Sequence, residues 1–238
     1  MKYKLLSTFA LTSALFPAAM SAEESSKWTF DASLYGLAAS MSGNVAVKGV
    51  PADVDVGFDK IWDNLKFGAM GSARLGYERW ALSTEVIYMD LESAKGPFTV
   101  KAEQWMVQPA LEYQVCRYFD VYAGTRYNSI HLALNGPLGI NPSGTHDWWD
   151  PIVGTRINLP LGNKFSFNVN GDIGGVEWGG KDFTWQVYPF FNWQFTKCAS
   201  LQAGYRLLYT DYETGSGFSR FKYDMLTSGP QVGFKFQF

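Results

Sequence analysis

Ten stretches of this chain alternate apolar and polar side chains with a period of two, which sends successive residues to opposite faces of a β-strand. They run approximately over 27–40, 65–78, 80–92, 99–115, 118–132, 147–160, 163–176, 182–196, 198–213 and 220–238. The connections alternate in length. Glu78-Arg79, Cys116-Arg117, Leu161-Gly162 and Lys197 are tight turns. The segments 41–64, 93–98, 133–146, 177–181 and 214–219 are longer and rich in Gly, Pro, Ser and Asp. Short turns at one end and longer loops at the other predict an all-β fold, a transmembrane antiparallel up-and-down β-barrel with both chain ends on the short-turn side. Ten strands are expected, and merging or splitting one hairpin would give eight or twelve.

The stretch 182–196 shows how the faces separate. Phe183, Trp185, Val187, Pro189, Phe191, Trp193 and Phe195 share one face, while Thr184, Gln186, Tyr188, Asn192 and Gln194 share the other. The first face can meet only lipid. Pro189, and likewise Pro109 and Pro230, lack a ladder N–H, so each predicts a bulge or a local break. The last stretch ends in QVGFKFQF, with Val232, Phe234, Phe236 and Phe238 alternating against Gln231, Gly233, Lys235 and Gln237. The spacing Gln231-x-Gly233-x-x-Phe236-x-Phe238 resembles the C-terminal signal by which bacterial outer-membrane barrels are recognised and inserted. That resemblance implies the barrel assembly machinery and outer-membrane lipid as partners.

At the other end, Lys2 and Lys4 precede an apolar stretch from Leu5 to Phe16, then Pro17 and small residues up to Ala22. This is the order of a cleaved secretory signal peptide, expected over 1–22, which leaves 23–238 as the barrel domain. The stretch is too short and too interrupted to span a bilayer, and no Cys stands at the junction to carry a lipid. Mean hydropathy is −0.12, which suits strands that average a lipid face and a lumen face. Aromatic residues make up 17%. Trp28, Tyr77, Trp80, Tyr113, Tyr118, Trp193 and Phe195 gather beside the short turns, and Trp148, Trp149, Trp178 and Phe183 at the loop side, as two interfacial girdles would. Without Lys2 and Lys4 the basic count falls from 20 to 18 against 22 acids, a net charge of about −4 that argues against nucleic acid.

The strand phases point Asp31, Glu85, Glu112, Asp150 and Asp172 inward, together with Arg74, Arg126, Arg156, Arg206 and Lys235. Five acids meet five bases. With Gln104, Gln108, Asn168, Asn170 and Gln202 they would fill a narrow lumen as a network of ion pairs and hydrogen bonds. The alternative use of the same charges is a narrow hydrated path for small polar solutes or ions. On the lipid face each Arg or Lys would cost about 2–4 kcal/mol at the midplane, which supports the inward assignment.

Asp150-Pro151 followed by Gly154-Thr155-Arg156, then Gly171-Asp172-Ile173-Gly174-Gly175, then Gly204-Tyr205-Arg206 with Asp211-Tyr212, resemble uncharacterised outer-membrane β-barrel proteins of Gram-negative bacteria. The likeness is strongest after Trp148. It implies fold and membrane, not a reaction.

Chemistry-bearing residues are few. The Gly171–Gly175 cluster is no dinucleotide fingerprint, because no helix pattern follows it. Barrel proteases, lipases and deacylases need a His paired with an acid or a Ser. Only His131 and His146 exist, near Ser129 and Asp147 respectively. Strand neighbours two apart stand 6–7 Å from each other and adjacent ones face opposite ways, so neither pair makes a dyad unaided. Two His with scattered carboxylates also fall short of a metal site, and no cofactor is expected. Cys116 and Cys198 both fall in short turns nearly opposite one another, so a bridge would require turns that fold under the lumen; free or intermolecular thiols are the alternatives. Two functional classes remain: a structural barrel or narrow passive pore, and a surface binding module built on 41–64. That loop carries Val45, Val47, Val50, Val54, Val56, Phe58 and Ile61, unusually apolar for an exposed loop, and the alternative to a binding surface is a short helix near 58–65 that caps or plugs the mouth.

Overall fold

The structure, a computed structural model, describes residues 27–47, 50–95, 98–135, 143–177 and 182–238. The expected signal segment 1–22 and Trp178 lie outside the described residues. The elements are β1 (Trp28–Leu37), β2 (Ser40–Val47), β3 (Val50–Val56), helix α1 (Phe58–Asn64), β4 (Leu65–Tyr77), β5 (Trp80–Lys95) and β6 (Phe98–Cys116). They continue as β7 (Phe119–Asn135), β8 (Ser143–Pro160), β9 (Phe165–Glu177), β10 (Asp182–Gln194), β11 (Ala199–Thr214), a 3-10 turn at Gly217–Ser219 and β12 (Phe221–Gln237).

Every neighbouring pair is antiparallel, and β1 pairs with both β4 and β12, which closes the sheet into a ten-stranded barrel. The two further strands come from 41–64, read in sequence as a loop. β2 is the upward continuation of β1: Leu37 pairs with Gln231 and Ser40 with Ser228, one register carried past Pro230. The interruption at Ala38–Ala39 falls opposite Pro230, which has no N–H to give, although its carbonyl still accepts from the Ala38 N–H at 2.9 Å. β3 folds back on β2 as a hairpin, and α1 then returns the chain to β4 beside β2 and β5. Val45 and Val54 are thereby half-buried against the upper lumen instead of forming an exposed loop.

Pro109 and Pro189 break the ladder without shifting the register. The β6–β7 pairing skips from Val107 to Ala110, and the β10–β11 pairing from Val187 to Phe190, in step on either side. On its other edge each proline stays paired, with Thr84 and Val169. At each gap the neighbouring strand has a glycine whose missing Cβ would stand 2.2 Å from the proline carbonyl: Gly124 against Pro109 and Gly204 against Pro189. Gly174 meets Pro151 in the same way. The glycines let the strands close in where a ladder bond is missing.

The exterior carries two aromatic rings. Beside the short turns, Trp28 meets Tyr77 at 4.6 Å, Trp80 meets Tyr113 at 4.8 Å, and Phe165 meets Trp193 at 6.3 Å between centroids. Higher up, Phe67, Tyr88 and Trp105 form one cluster, Tyr127 and Trp149 a second, and Trp185 and Tyr209 a third. From Trp80 to Tyr88 a tilted strand climbs about 20 Å, the height of an outer-membrane hydrocarbon band. Leucines and valines such as Leu82, Leu111, Val153 and Val232 fill the band between. The upper ring thus differs from the sequence expectation: Trp149 belongs to it, whereas Trp148 is buried and points into the lumen.

Gly204→Ala tests the proline–glycine fit. The added methyl would stand 2.5 Å from the Phe190 Cβ as well as 2.2 Å from the Pro189 carbonyl. We expect a loss of about 1–3 kcal/mol in urea-dependent folding into lipid vesicles. Gly36→Ala, where a Cβ meets nothing within 4 Å, should be neutral.

Candidate functional site in the barrel lumen

The ten inward-phased charged residues all reach the lumen, but the structure divides them into tiers. In the tier nearest the short turns, Glu112 is held by Arg74 Nε at 2.7 Å and Arg156 Nη2 at 2.9 Å. Asp31 beside it pairs with Lys235 at 3.1 Å and with Arg74 at 3.9 Å. In the middle tier, Arg206 forms a double ion pair with Glu85, to which the Tyr35 hydroxyl also donates. Arg126 pairs with Asp172 at 2.7 Å, and both side chains are inaccessible to solvent. Asp150 sits one step higher and has no base as its hydrogen-bond partner; Asn128 and Trp148 donate to its Oδ2 at 3.0 and 3.1 Å.

The middle tier is cross-braced. Arg126 also donates to Gln108 Oε1 through Nε and Nη2 at 3.0 and 2.9 Å, and to Thr184 Oγ1 at 2.6 Å. Asp172 Oδ2 accepts from Gln186 at 2.6 Å, Tyr122 at 2.8 Å and Gln108 at 3.3 Å. The carbonyl of the Gln186 side chain accepts from Arg206 at 2.8 Å, which joins the Arg126 and Arg206 halves into one layer. Burying ions in this way is tolerable only when each gains partners to replace water. Two glycines make the layer fit. A Cβ on Gly154 would stand 2.4 Å from the Tyr122 ring, and one on Gly233 would stand 2.5 Å from the Tyr35 Cβ. Those glycines leave room for the two tyrosines whose hydroxyls reach the central acids.

Below the layer lies a polar vestibule of about 520 Å³, lined by Ser, Asn and Gln side chains and by the lower charges, including Asp120, which sequence reasoning missed. Gln202, Asn168 and Asn170 line it, and Asn168 accepts from Asn158 at 2.7 Å. Above the layer the lumen turns apolar. Ile87, Met89 and Met106 pack with Met70 and Leu208. Higher still, Ile130, Trp148, Phe221, Tyr223 and Met225 are covered by Met41, Val45, Val54 and Tyr212.

The two histidines stand apart. His131 shares a hydrogen bond with Thr145 across the strand pair at 2.7 Å on the outside of the wall. His146 is inside, stacked on Phe221 with centroids 3.9 Å apart. They occupy opposite faces, and neither forms a pair with Ser129 or Asp147. Cys116 and Cys198 are both exposed free thiols. No group of metal-ligating side chains occurs among the described residues.

No protein-family profile matches the chain, and no curated protein sequence does either. The outer membrane protease OmpT of Escherichia coli superimposes with a TM-score of 0.56 at 7% identity, over 89% of this chain and 97% of that one. A FadL homologue of Pseudomonas aeruginosa aligns at a TM-score of 0.42 and 8% identity over 89% and 90%. Ail, the attachment invasion locus protein of Yersinia pestis, gives 0.42 and 9% over 89% and 98%. The fold is that of an outer-membrane β-barrel protein, in agreement with the family resemblance of its sequence.

Two outcomes are expected from altering this lumen. Arg126→Met strands the Asp172 carboxylate without its cation and should cost roughly 3–5 kcal/mol in equilibrium unfolding from vesicles. Arg126→Met with Asp172→Asn should recover part of that loss. His146, above the upper aromatic ring, has its pKa lowered by burial, with Asp147 opposing. The unfolded chain therefore takes up the proton first, so this group's contribution is complete above its ordinary pKa of about 6.5 and fades as pH falls below it. His146→Phe should flatten that acid-side decline below about pH 6.5, read by the near-ultraviolet dichroism of the Trp148 cluster.

Proposed function

We propose that the protein is an integral outer-membrane barrel with a sealed lumen, serving as a structural barrel and not as a passive pore. The supporting observation is the complete burial of Arg126 within a continuous hydrogen-bonded layer. A conducting path needs charges that face water and leave an ion free to pass. Here the guanidinium is committed to Asp172, Gln108 and Thr184, and an apolar cap stands above it. The vestibule below is then a dead end.

Two further elements belong to this reading. The β12 strand, with Gln231, Gly233, Phe236 and Phe238 on its alternating faces, would be the segment recognised by the barrel assembly machinery, and residues 1–22 the export signal. A second role, as a surface module, draws support from the loop end, where Phe218 is 95% and Trp62 65% exposed. Surfaces of this kind mark interaction sites more often than lone apolar side chains do.

Planar-bilayer recording of the purified protein tests the sealed lumen. We expect no stepwise current above the bare bilayer. Reproducible unitary conductance from the wild-type chain would overturn the reading.

A further inference from the structure

The vestibule of about 520 Å³ beneath the buried layer stays open because one of its walls is built from small side chains. On β1, β4 and β5 the lining includes Ser33, Ser72 and Ser83, with Ser33 and Ser72 directly opposite each other in the ladder. In a ring of ten strands, β8, β9 and β10 lie across the lumen from these three. That facing wall is made of planar amides. Asn158, Asn168, Asn170 and Asn192 line it, and Gln202 on β11 stands opposite Asn192 in the ladder.

The ionic groups around the vestibule are committed to one another, and several of the amides are not. Asp31 pairs with Lys235, Glu112 with Arg74 and Arg156, and Glu85 with Arg206. Arg117 and Asp120, both in the β6–β7 hairpin, carry opposite signs, so the surroundings are close to neutral. By contrast, the side-chain amides of Asn170 and Gln202 make no hydrogen bond among the described residues, and Asn192 Oδ1 has no donor. An amide edge presents a donor beside an acceptor, and a serine hydroxyl acts as both. Adjacent hydroxyls on a sugar ring present the same pair in return. An ion entering here would find its countercharges taken, whereas a neutral polyol can replace water bond for bond.

Aromatic side chains supply the apolar half of such a site. Phe190 lines the amide wall, stacked on Tyr188 with centroids 4.6 Å apart. Tyr118 lines the vestibule at its short-turn end, half-exposed, with the Arg117 guanidinium 5.7 Å from its ring centroid. Faces of this kind accept the C–H groups of a sugar ring. The volume falls within the roughly 300–1,000 Å³ of small-molecule sites. We propose that the vestibule is a binding site, entered from the short-turn end, for a neutral saccharide held between the amide wall and the serine wall. The proposal concerns only the cavity below the layer and holds whether or not the lumen conducts.

The test uses the full-length protein in lauryldimethylamine oxide, a detergent without a sugar headgroup, titrated with maltose and followed by saturation-transfer NMR. Heat-modifiable gel mobility establishes that each variant is folded. Maltose should bind saturably, and more tightly than maltobionate, in which one ring is opened and oxidised to a carboxylate. Asn192→Leu with Gln202→Leu should weaken maltose binding about tenfold, the loss expected for one or two hydrogen bonds. Ser72→Phe, which fills the vestibule from the other wall, should abolish binding, whereas Phe218→Ala at the loop end should leave it unchanged. The proposal is overturned by the absence of saturable maltose binding to the wild type, or by tighter binding of maltobionate. Unchanged affinity in both N192L/Q202L and S72F would overturn it as well, since the sugar would then sit elsewhere.

Discussion

Hydrocarbon offers no water to a backbone N–H or C=O, and every other feature of this molecule answers to that constraint. A strand in the bilayer must find its partners in its neighbours, so the sheet must close. Closure here is made by β1, which pairs with β4 on one side and β12 on the other. The constraint is most visible where it is strained. Pro109 and Pro189 each withhold a donor inside the band, and the ladder is interrupted there on one edge only. Gly124 and Gly204 stand at those points because any side chain would collide with the proline carbonyl. A missing bond is thereby confined to one position and does not spread into a register shift.

Closing on ten strands leaves a lumen too narrow to stay empty and too wide to fill with backbone, so inward side chains decide its character. The charges placed there could not face lipid without a large cost. Inside they are useful only as a satisfied network, because a partly satisfied one is worse than an apolar core. The central layer approaches the condition by giving Asp172 four donors and Arg206 a double ion pair, with Arg206 Nε the atom left without a partner. Tyrosines rooted opposite inward glycines complete it. Strand closure and lumen chemistry are thus linked through the same residue type: glycine relieves the wall at Gly124 and Gly204, and makes room for Tyr122 and Tyr35 at Gly154 and Gly233.

The barrel was legible in the sequence to the extent that lipid and lumen impose opposite demands on alternate residues. All ten read strands exist, and the ten inward-phased charges face the lumen, because phase alone decides facing. Pairing was not legible: Glu112 takes two arginines while Asp150 takes none, and only register tells which side chains share a level. Where the two faces cease to differ, the signal vanishes. Val86-Ile87-Tyr88-Met89 is apolar throughout because its inner residues enter the cap and its outer ones meet lipid, so the cap could not be read. Trp148 and Trp149 show the same ambiguity in two adjacent letters, one stacked on Tyr212 inside and the other in the outer ring. The β2–β3 hairpin was hidden by Gly43, Pro51, Asp53 and Asp55, residues at home in loops. They are tolerated in strands here because this hairpin stands above the membrane.

A lumen committed to holding itself together has consequences for where activity can reside. The buried layer commits Arg126, Asp172, Gln108, Gln186 and Arg206 to one another, and an apolar cluster stands between it and the loop end. The two histidines sit on opposite sides of the wall at that end, each engaged with a neighbour. What remains available is the vestibule below the layer and the surface: the exposed aromatics of α1 and the Gly217–Ser219 turn on one side of the membrane, the cationic turns on the other, and the outer wall between. The proposed sealed lumen therefore directs attention to that vestibule and outward, to the barrel's contacts with the membrane that holds it.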